Sequence, residues 1–132
     1  MPDSTPFVWH EVNTPRTEES IGFYTNLFGW ESKEIPLPGA PGMKYMMFTR
    51  DEQPVAGIVP MIGEAWKGLR SHWAVYIAVD DVDYMVTKAV SLGAKVLVPA
   101  FDIDQVCRMS LICDPQGAAF YLYKSYQGTG AS

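Results

Sequence analysis

The chain has 132 residues, of which 48% are hydrophobic and 19% are charged. This composition indicates a folded domain, because it supplies enough apolar surface to form a core. Ten basic and fifteen acidic residues give a formal charge of −5, which argues against nucleic acid and anionic membrane surfaces as partners. No signal peptide and no apolar run of roughly 20 residues is visible in the sequence, so we expect a cytoplasmic protein.

The first half begins with an extended segment, Phe7–Asn13, which the sequence breaks at Thr14-Pro15. A helix follows, for which Thr17 is the predicted N-cap and Gly29 the predicted C-cap. We predict strands over residues 30–35, 44–49 and 55–61, with a Pro/Gly-rich loop at 36–42.

The second half repeats this order. An extended segment at 72–79 precedes a helix that Asp81 is predicted to cap and Gly93 to end. We predict a strand over 95–98 that stops at Pro99. Further strands are predicted over 106–113 and 118–124, and a frayed tail over 127–132.

Two cysteines, Cys107 and Cys113, are six residues apart in one predicted strand. Six strand residues span ~20 Å, which is too far for a disulfide. We therefore predict two free, buried thiols, as is usual in the cytoplasm.

Both halves follow the order β-α-β-β-β, which predicts an internal repeat. We assign module one to residues 7–61, a linker to 62–71 and module two to 72–124, within a single domain of residues 1–132. The predicted fold class is α+β.

Several segments make the chain similar to a known family. It resembles the vicinal oxygen chelate superfamily, which includes glyoxalases, bleomycin-resistance proteins and extradiol dioxygenases. The segments that carry this resemblance are Ser20-Ile21-Gly22-Phe23-Tyr24, Leu27-Phe28-Gly29-Trp30, Val79-Asp80-Asp81-Val82, Leu92-Gly93-Ala94 and Asp114-Pro115-Gln116-Gly117-Ala118. The resemblance implies two βαβββ modules that pair to form a mixed sheet enclosing a cleft. A ferredoxin-like dimeric α+β barrel is the competing fold, but it has fewer strands than the sequence predicts.

The resemblance also implies a divalent metal, held by the first and last strands of each module. The matching positions here are Trp9, Ala74, Tyr121, and either Gly57 or Ile58. None of these side chains is an imidazole or a carboxylate, the usual ligands of such ions. Glu11 and His72 are the neighbours that a shifted metal site would use. We predict no metal and no other cofactor.

Strand alternation predicts which residues face the cleft. It places Glu11 there with Trp9 and Asn13, and His10 on the opposite face. Glu11 is the candidate general base, and Tyr121 is the second candidate catalytic residue. Arg108 is left with two interpretations, an anion-binding residue in the cleft or a solvated charge at the edge. The predicted ligand-binding residues are Trp9, Asn13, Tyr45, Met47, His72, Tyr76, Arg108 and Tyr123.

These residues predict a protein that binds a small molecule and acts without a metal, as an isomerase or lyase of unknown substrate. One alternative is a binding protein that sequesters a cationic aromatic compound. The other is a metal-dependent lyase or dioxygenase with shifted ligands. Because related proteins often carry two such domains in one chain, we expect a homodimer.

Overall fold

The computed structural model describes residues 6–36, 44–103 and 106–126. The strands are β1 (Phe7–Thr14), β2 (Glu31–Pro36), β3 (Lys44–Arg50), β4 (Gln53–Pro60), β5 (His72–Ala78), β6 (Lys95–Ile103), β7 (Cys107–Cys113) and β8 (Ala119–Ser125). The helices are α1 (Thr17–Phe28) and α2 (Val82–Ser91), with a 3₁₀ turn at Glu64–Trp66. The repeated β-α-β-β-β order and the α+β class are confirmed.

The described residues fall into two compact units. Residues 10–36 and 44–73 form the first unit, and residues 6–9, 74–103 and 106–126 form the second. In strands β1 to β4 the order is β2-β3-β4-β1, and in strands β5 to β8 it is β5-β8-β7-β6. The strand that opens each module runs parallel to the last strand of that module, and the other pairs within it are antiparallel. Each module is therefore a mixed four-stranded sheet.

One face of each sheet packs on the helix of its own module. In the first unit the buried core is Val12, Phe48, Ala56 and Ile58, against which Ile21 and Tyr24 of α1 pack. In the second unit the core is Val82, Ile112 and Leu122, packed by further apolar residues of α2 and the sheet. The helix of each module therefore does not cover the opposite face of its sheet.

Asp81 and Gly29 are confirmed as caps and Thr17 is wrong, while Gly93 lies just beyond the Leu92 C-cap of α2 with φ +104°. The side chain of Asp81 accepts a hydrogen bond from the Tyr84 backbone amide at 2.9 Å, and Gly29 ends α1 with φ +76°. Thr17 is instead the first helical residue of α1, and Arg16 occupies the N-cap position without a capping side-chain bond. Thr14 Oγ1 accepts from the Arg16 amide at 3.1 Å, so a threonine three residues earlier closes this turn.

The predicted stop of a strand at Pro99 is also wrong, because β6 continues to Ile103. β6 is the outermost strand of the β5-β8-β7-β6 order, and its register against β7 shifts between Val96 and Phe101. Proline is tolerated at an outer strand or a bulge, where its missing N–H breaks no ladder hydrogen bond.

Neither cysteine forms a disulfide and both are buried, as predicted. The predicted Pro/Gly-rich loop lies, apart from Pro36, outside the described residues, and so does the tail at 127–132. No helix in the described part of the chain is long and apolar enough to cross a membrane.

Candidate functional site

Glu11 lies on the face of the first unit that α1 does not cover. It pairs in register with Gly57 of β4, and Gly57 pairs with Met47 of β3. The next residue along each of β1 and β4, Val12 and Ile58, belongs to the core under α1. The strand alternation predicted from the sequence is therefore confirmed for Glu11.

The Glu11 carboxylate is buried and accepts a hydrogen bond from Tyr45. Glu11 is only 3% exposed, and the Tyr45 hydroxyl donates to its Oε2 atom. Burial of a carboxylate is unfavourable unless it is hydrogen-bonded, so this contact stabilises the arrangement. Both residues are predictable from the sequence as site residues, but their contact is not.

Gly57 provides the space for this contact. A Cβ atom at residue 57 would overlap the Tyr45 hydroxyl and lie 2.8 Å from Glu11 Cγ. The φ angle of Gly57 is not positive, so glycine is needed here for its small size and not for its backbone freedom. Any side chain at this position would displace Tyr45 from Glu11.

Two other predicted residues, Asn13 and Met47, lie in this part of the fold, whereas Trp9 belongs to the second unit. Asn13 is fully buried, and its amide donates to the Glu11 backbone carbonyl at 3.3 Å. Met47 is half-buried in the register row of Glu11 and Gly57. Trp9 is half-buried in β1.

In the second unit, three of the predicted tyrosines form one aromatic cluster. Tyr76 stacks on Tyr121 with ring centroids 4.2 Å apart, and Tyr123 meets Tyr76 edge-on at 5.5 Å. The Tyr76 hydroxyl donates to the Met109 sulfur at 3.6 Å. Tyr76 and Tyr121 are buried, whereas Tyr123 is half-buried. The predicted common face of these tyrosines is confirmed.

The interpretation of Arg108 as an anion-binding residue beside these tyrosines is corrected by the structure. Its guanidinium bonds Asp83 of α2 through two nitrogens, each at 2.9 Å, and contacts Asp102 at 3.2 Å. Arg108 alternates along β7 with Met109, which faces Tyr76, so it points to the helix side of the sheet. The guanidinium is therefore already paired with two carboxylates.

Electrostatics within this group agree with the geometry. The hydrogen bond from Arg108 lowers the pKa of Asp83. Hydrogen bonds from Tyr126, at 2.6 Å, and from Arg108 lower the pKa of Asp102. The pKa of Arg108 is raised by its bonds to the two carboxylates, and that of Tyr126 by its bond to Asp102. These shifts favour the ionised forms of Asp83, Asp102 and Arg108 and the neutral form of the Tyr126 hydroxyl.

His72 and His10 are both held by backbone carbonyls in the first unit. The Nδ1 atom of His72 lies 2.6 Å from the Arg70 carbonyl, and its Nε2 atom is buried without a hydrogen-bond partner. Because a carbonyl only accepts, Nδ1 carries the proton in this contact. His10 Nε2 bonds the Val55 carbonyl at 2.7 Å.

The residues at the expected metal positions do not fit a divalent cation. Ile58 lies in the core under α1, so Gly57 is the matching position of β4. Gly57 has no side chain, Tyr121 is stacked on Tyr76, and Trp9 and Ala74 carry no ligand atom suited to such an ion. Within residues 6–36, 44–103 and 106–126, no three His, Cys, Asp or Glu side chains are grouped as a metal site.

Comparison with known proteins gives consistent results. Residues 7–122 match the family model described as the glyoxalase/bleomycin resistance protein/dioxygenase superfamily. The chain is 44% identical over 124 residues to the protein named "Putative glyoxylase CFP32" of Mycobacterium tuberculosis, covering 94% of this chain and 47% of that protein. It is 31% identical over 134 residues to the anthracycline biosynthesis protein DnrV of Streptomyces peucetius, covering 93% and 48%. The chain thus spans about half the length of these relatives.

Solved structures show the same fold. The hypothetical protein BH1468 of Bacillus halodurans superposes with a TM-score of 0.56 at 11% identity, covering 93% of this chain and 96% of that one. A methylmalonyl-CoA epimerase of Streptomyces coelicolor superposes with a TM-score of 0.54 at 17% identity, covering 92% and 97%. At these identities the likeness concerns the fold alone.

Proposed function

Because this chain belongs to the glyoxalase, bleomycin resistance protein and dioxygenase superfamily, we propose that it binds a small organic molecule and rearranges it by proton transfer at Glu11. The reaction would be that of an isomerase or lyase, without a metal ion. The observation that supports this proposal is the buried Glu11 carboxylate, hydrogen-bonded to Tyr45 on the sheet face that α1 leaves uncovered. A carboxylate in such surroundings is a suitable general base.

The proposed step is the removal of a proton from a carbon next to a carbonyl group. The C–H bond breaks, its electron pair forms an enolate, and the proton forms an O–H bond on Glu11. Return of that proton to the neighbouring carbon completes an isomerisation, and loss of a β-substituent completes an elimination. The name "glyoxylase" of a relative at 44% identity supports a small carbonyl compound as substrate.

The test uses probe compounds in D₂O, with C–H to C–D exchange followed by proton NMR. The probes are dihydroxyacetone and the hemithioacetal of methylglyoxal with a thiol. We expect the protein to catalyse exchange and Glu11→Gln to reduce it by at least about 10²-fold, as for loss of a general base. Glu31→Gln, an exposed strand carboxylate, is the matched control. No exchange with either probe, or full exchange by Glu11→Gln, would contradict the proposal.

A second candidate function is the sequestration of a cationic aromatic compound. It is favoured by the stacked Tyr76 and Tyr121 with half-buried Tyr123, by the charge of −5 and by the name of the anthracycline biosynthesis relative. Aromatic faces attract cations and flat rings. An anthracycline bearing an amino sugar should then raise the melting temperature, and Tyr123→Leu should reduce this shift. Absence of any shift would count against sequestration.

We also propose that the 132 residues act as one domain in a cytoplasmic homodimer. Relatives about twice as long support a pair of such domains, and the buried Cys107 and Cys113, which form no disulfide, are compatible with a reducing compartment. Sedimentation velocity should give twice the chain mass of 14.7 kDa, and a monomer at micromolar concentration would contradict the dimer.

A further inference from the structure

We propose that the Tyr45 hydroxyl stabilises the negative charge that develops on the substrate oxygen. In metal-dependent reactions of carbonyl compounds, a Lewis-acid metal ion stabilises this charge. We further assign to Gly57 the role of a positioning residue that admits this hydroxyl. This inference rests on the proposed function, since it takes Glu11 as the group that removes the proton.

The space above Gly57 is taken up by Tyr45. Gly57 occupies the β4 position at which the family resemblance implies a metal ligand, directly beside Glu11 in the register. A Cβ atom there would overlap the Tyr45 hydroxyl. A metal-binding side chain at residue 57 and the observed position of Tyr45 are therefore mutually exclusive. In this chain the phenol occupies the space that such a ligand would need.

In the structure the Tyr45 hydroxyl donates to the Glu11 carboxylate. Hydrogen bonds to an ionised acceptor are roughly twice as strong as neutral ones, so this bond weakens once the carboxylate takes a proton. At the same moment the substrate oxygen becomes an anion. The hydroxyl then forms a stronger hydrogen bond by donating to the enolate oxygen than by donating to the neutral carboxyl. This change of acceptor leaves the number of protons unchanged.

Because the Glu11 carboxylate and the Tyr45 phenol are in contact, they act on neighbouring atoms of one substrate. A suitable substrate therefore carries a carbonyl oxygen with an acidic C–H on the adjacent carbon, as α-hydroxyketones do. Donors placed where charge develops in a transition state typically contribute about 10²–10³-fold to kcat.

The kinetic experiment compares Tyr45→Phe with the wild type on the exchange probes above. This change keeps the ring and removes only the hydroxyl. We expect kcat to fall by about 10²–10³-fold with little change in KM, because the lost bond forms in the transition state. Tyr84→Phe, an exposed helix tyrosine, should keep the wild-type rate. A Tyr45→Phe protein with unchanged kcat would overturn the inference.

The outcome for Glu11 separates this inference from the proposed function. Loss of exchange in Glu11→Gln with full exchange in Tyr45→Phe would overturn the role of Tyr45 only. Full exchange in both variants would overturn the proposed function as well.

A second measurement does not depend on turnover. The side-chain carboxyl resonance of Glu11 can be assigned in ¹³C-glutamate-labelled protein by its loss in Glu11→Gln. We expect this resonance to move in Tyr45→Phe and in Gly57→Ala, because both variants remove the hydroxyl from the carboxylate. Gly22→Ala is the matched control, since a Cβ at residue 22 of α1 meets no atom within 4 Å. A Gly57→Ala resonance that stays at the wild-type position would contradict the role of Gly57.

The same proteins test metal binding by calorimetric titration with Zn²⁺, Ni²⁺ and Mn²⁺. We expect no binding that depends on Glu11. One ion bound per wild-type chain, with binding abolished in Glu11→Gln, would show that Glu11 serves a shifted metal site and would overturn the inference.

Discussion

Gly57 and Glu52 occupy backbone positions with opposite requirements. Gly57 lies in an ordinary strand conformation but has no room for a Cβ atom, because Tyr45 and Glu11 meet above it. Asp51 and Glu52 form the two-residue turn between β3 and β4 with φ of +51° and +65°. Positive φ at both central residues is typical of a type I′ hairpin turn, which glycine favours at the second position. In this chain Glu52 holds the second position, so the turn contains a strained left-handed residue.

The turn therefore predicts a stabilising substitution. Glu52→Gly should raise the free energy of unfolding by about 0.5–1 kcal/mol, because relief of the left-handed conformation exceeds the extra chain entropy of glycine. Urea denaturation measures the change. Glu31→Gly, in a strand with ordinary φ, should be destabilising by about 0.5–1 kcal/mol. A Glu52→Gly protein less stable than the wild type would refute this interpretation of the turn.

The two helices begin in different ways although the modules repeat. α2 has an aspartate N-cap whose side chain bonds the Tyr84 amide, and an acidic residue, Asp83, in its first turn. α1 has Glu18 and Glu19 in its first turn but no capping side-chain bond from Arg16. The start of α1 relies on Thr14, which accepts from the Arg16 amide and, at 3.0 Å, from the Ser20 hydroxyl. The two helix starts thus depend on different residues.

This difference predicts the cost of removing the α2 cap. Asp81→Ala should lower the free energy of unfolding by about 0.5–2 kcal/mol, the usual range for a lost N-cap. Asp80→Ala is the control, because the neighbouring aspartate does not cap the helix and the change removes the same charge. Equal effects of the two substitutions would mean that charge, and not the cap, accounts for the loss.

Within the second unit, one group of charged and polar side chains joins four parts of the chain. Arg108 of β7 binds Asp83 of α2 and Asp102 of β6, and Tyr126, just beyond β8, donates to Asp102. Only two of these residues, Asp102 and Arg108, pair in the strand register. The group therefore links α2 and Tyr126 to the sheet. In the first unit, by contrast, α1 packs through Tyr24 and its aromatic neighbours.

The lowered pKa values of Asp83 and Asp102 predict how stability depends on pH. In the unfolded chain both groups titrate near 3.8, and in the folded protein they titrate lower. Between these values the unfolded state binds more protons, so stability rises with pH and is lost as the pH falls through the folded values. Arg108→Leu should therefore destabilise the protein most at neutral pH, and the difference from the wild type should shrink below pH 3.8.

Urea denaturation at pH 7, 5, 3 and 2 checks this dependence. Lys95→Leu, which removes an exposed positive charge from β6, is the control and should show no such trend. A difference between Arg108→Leu and the wild type that stays constant with pH would contradict the assignment of the ion pairs.

Much of the fold was predictable from local pattern. The order of strands and helices follows from apolar periodicity and from the helix-ending Gly29 and Gly93, whose positive φ angles the structure confirms. The continuation of β6 past Pro99 was not predictable, because it depends on the strand lying at the outside of its sheet. The sequence allows two interpretations of Arg108, because the face on which it lies depends on the register of β7 against β8 and on the position of Asp83.

The internal repeat, the family resemblance and the residue types at the expected metal positions all follow from the sequence alone. Strand alternation also placed Glu11 opposite the helix-facing core, because side chains of a strand alternate between its two faces. Only the tertiary structure brought Tyr45 to Glu11. That contact joins residues 34 apart in the chain and requires a glycine on the strand between them. The contact depends on the register between distant strands and on the space above a glycine. Both are properties of tertiary packing, so they cannot be predicted from a local sequence pattern.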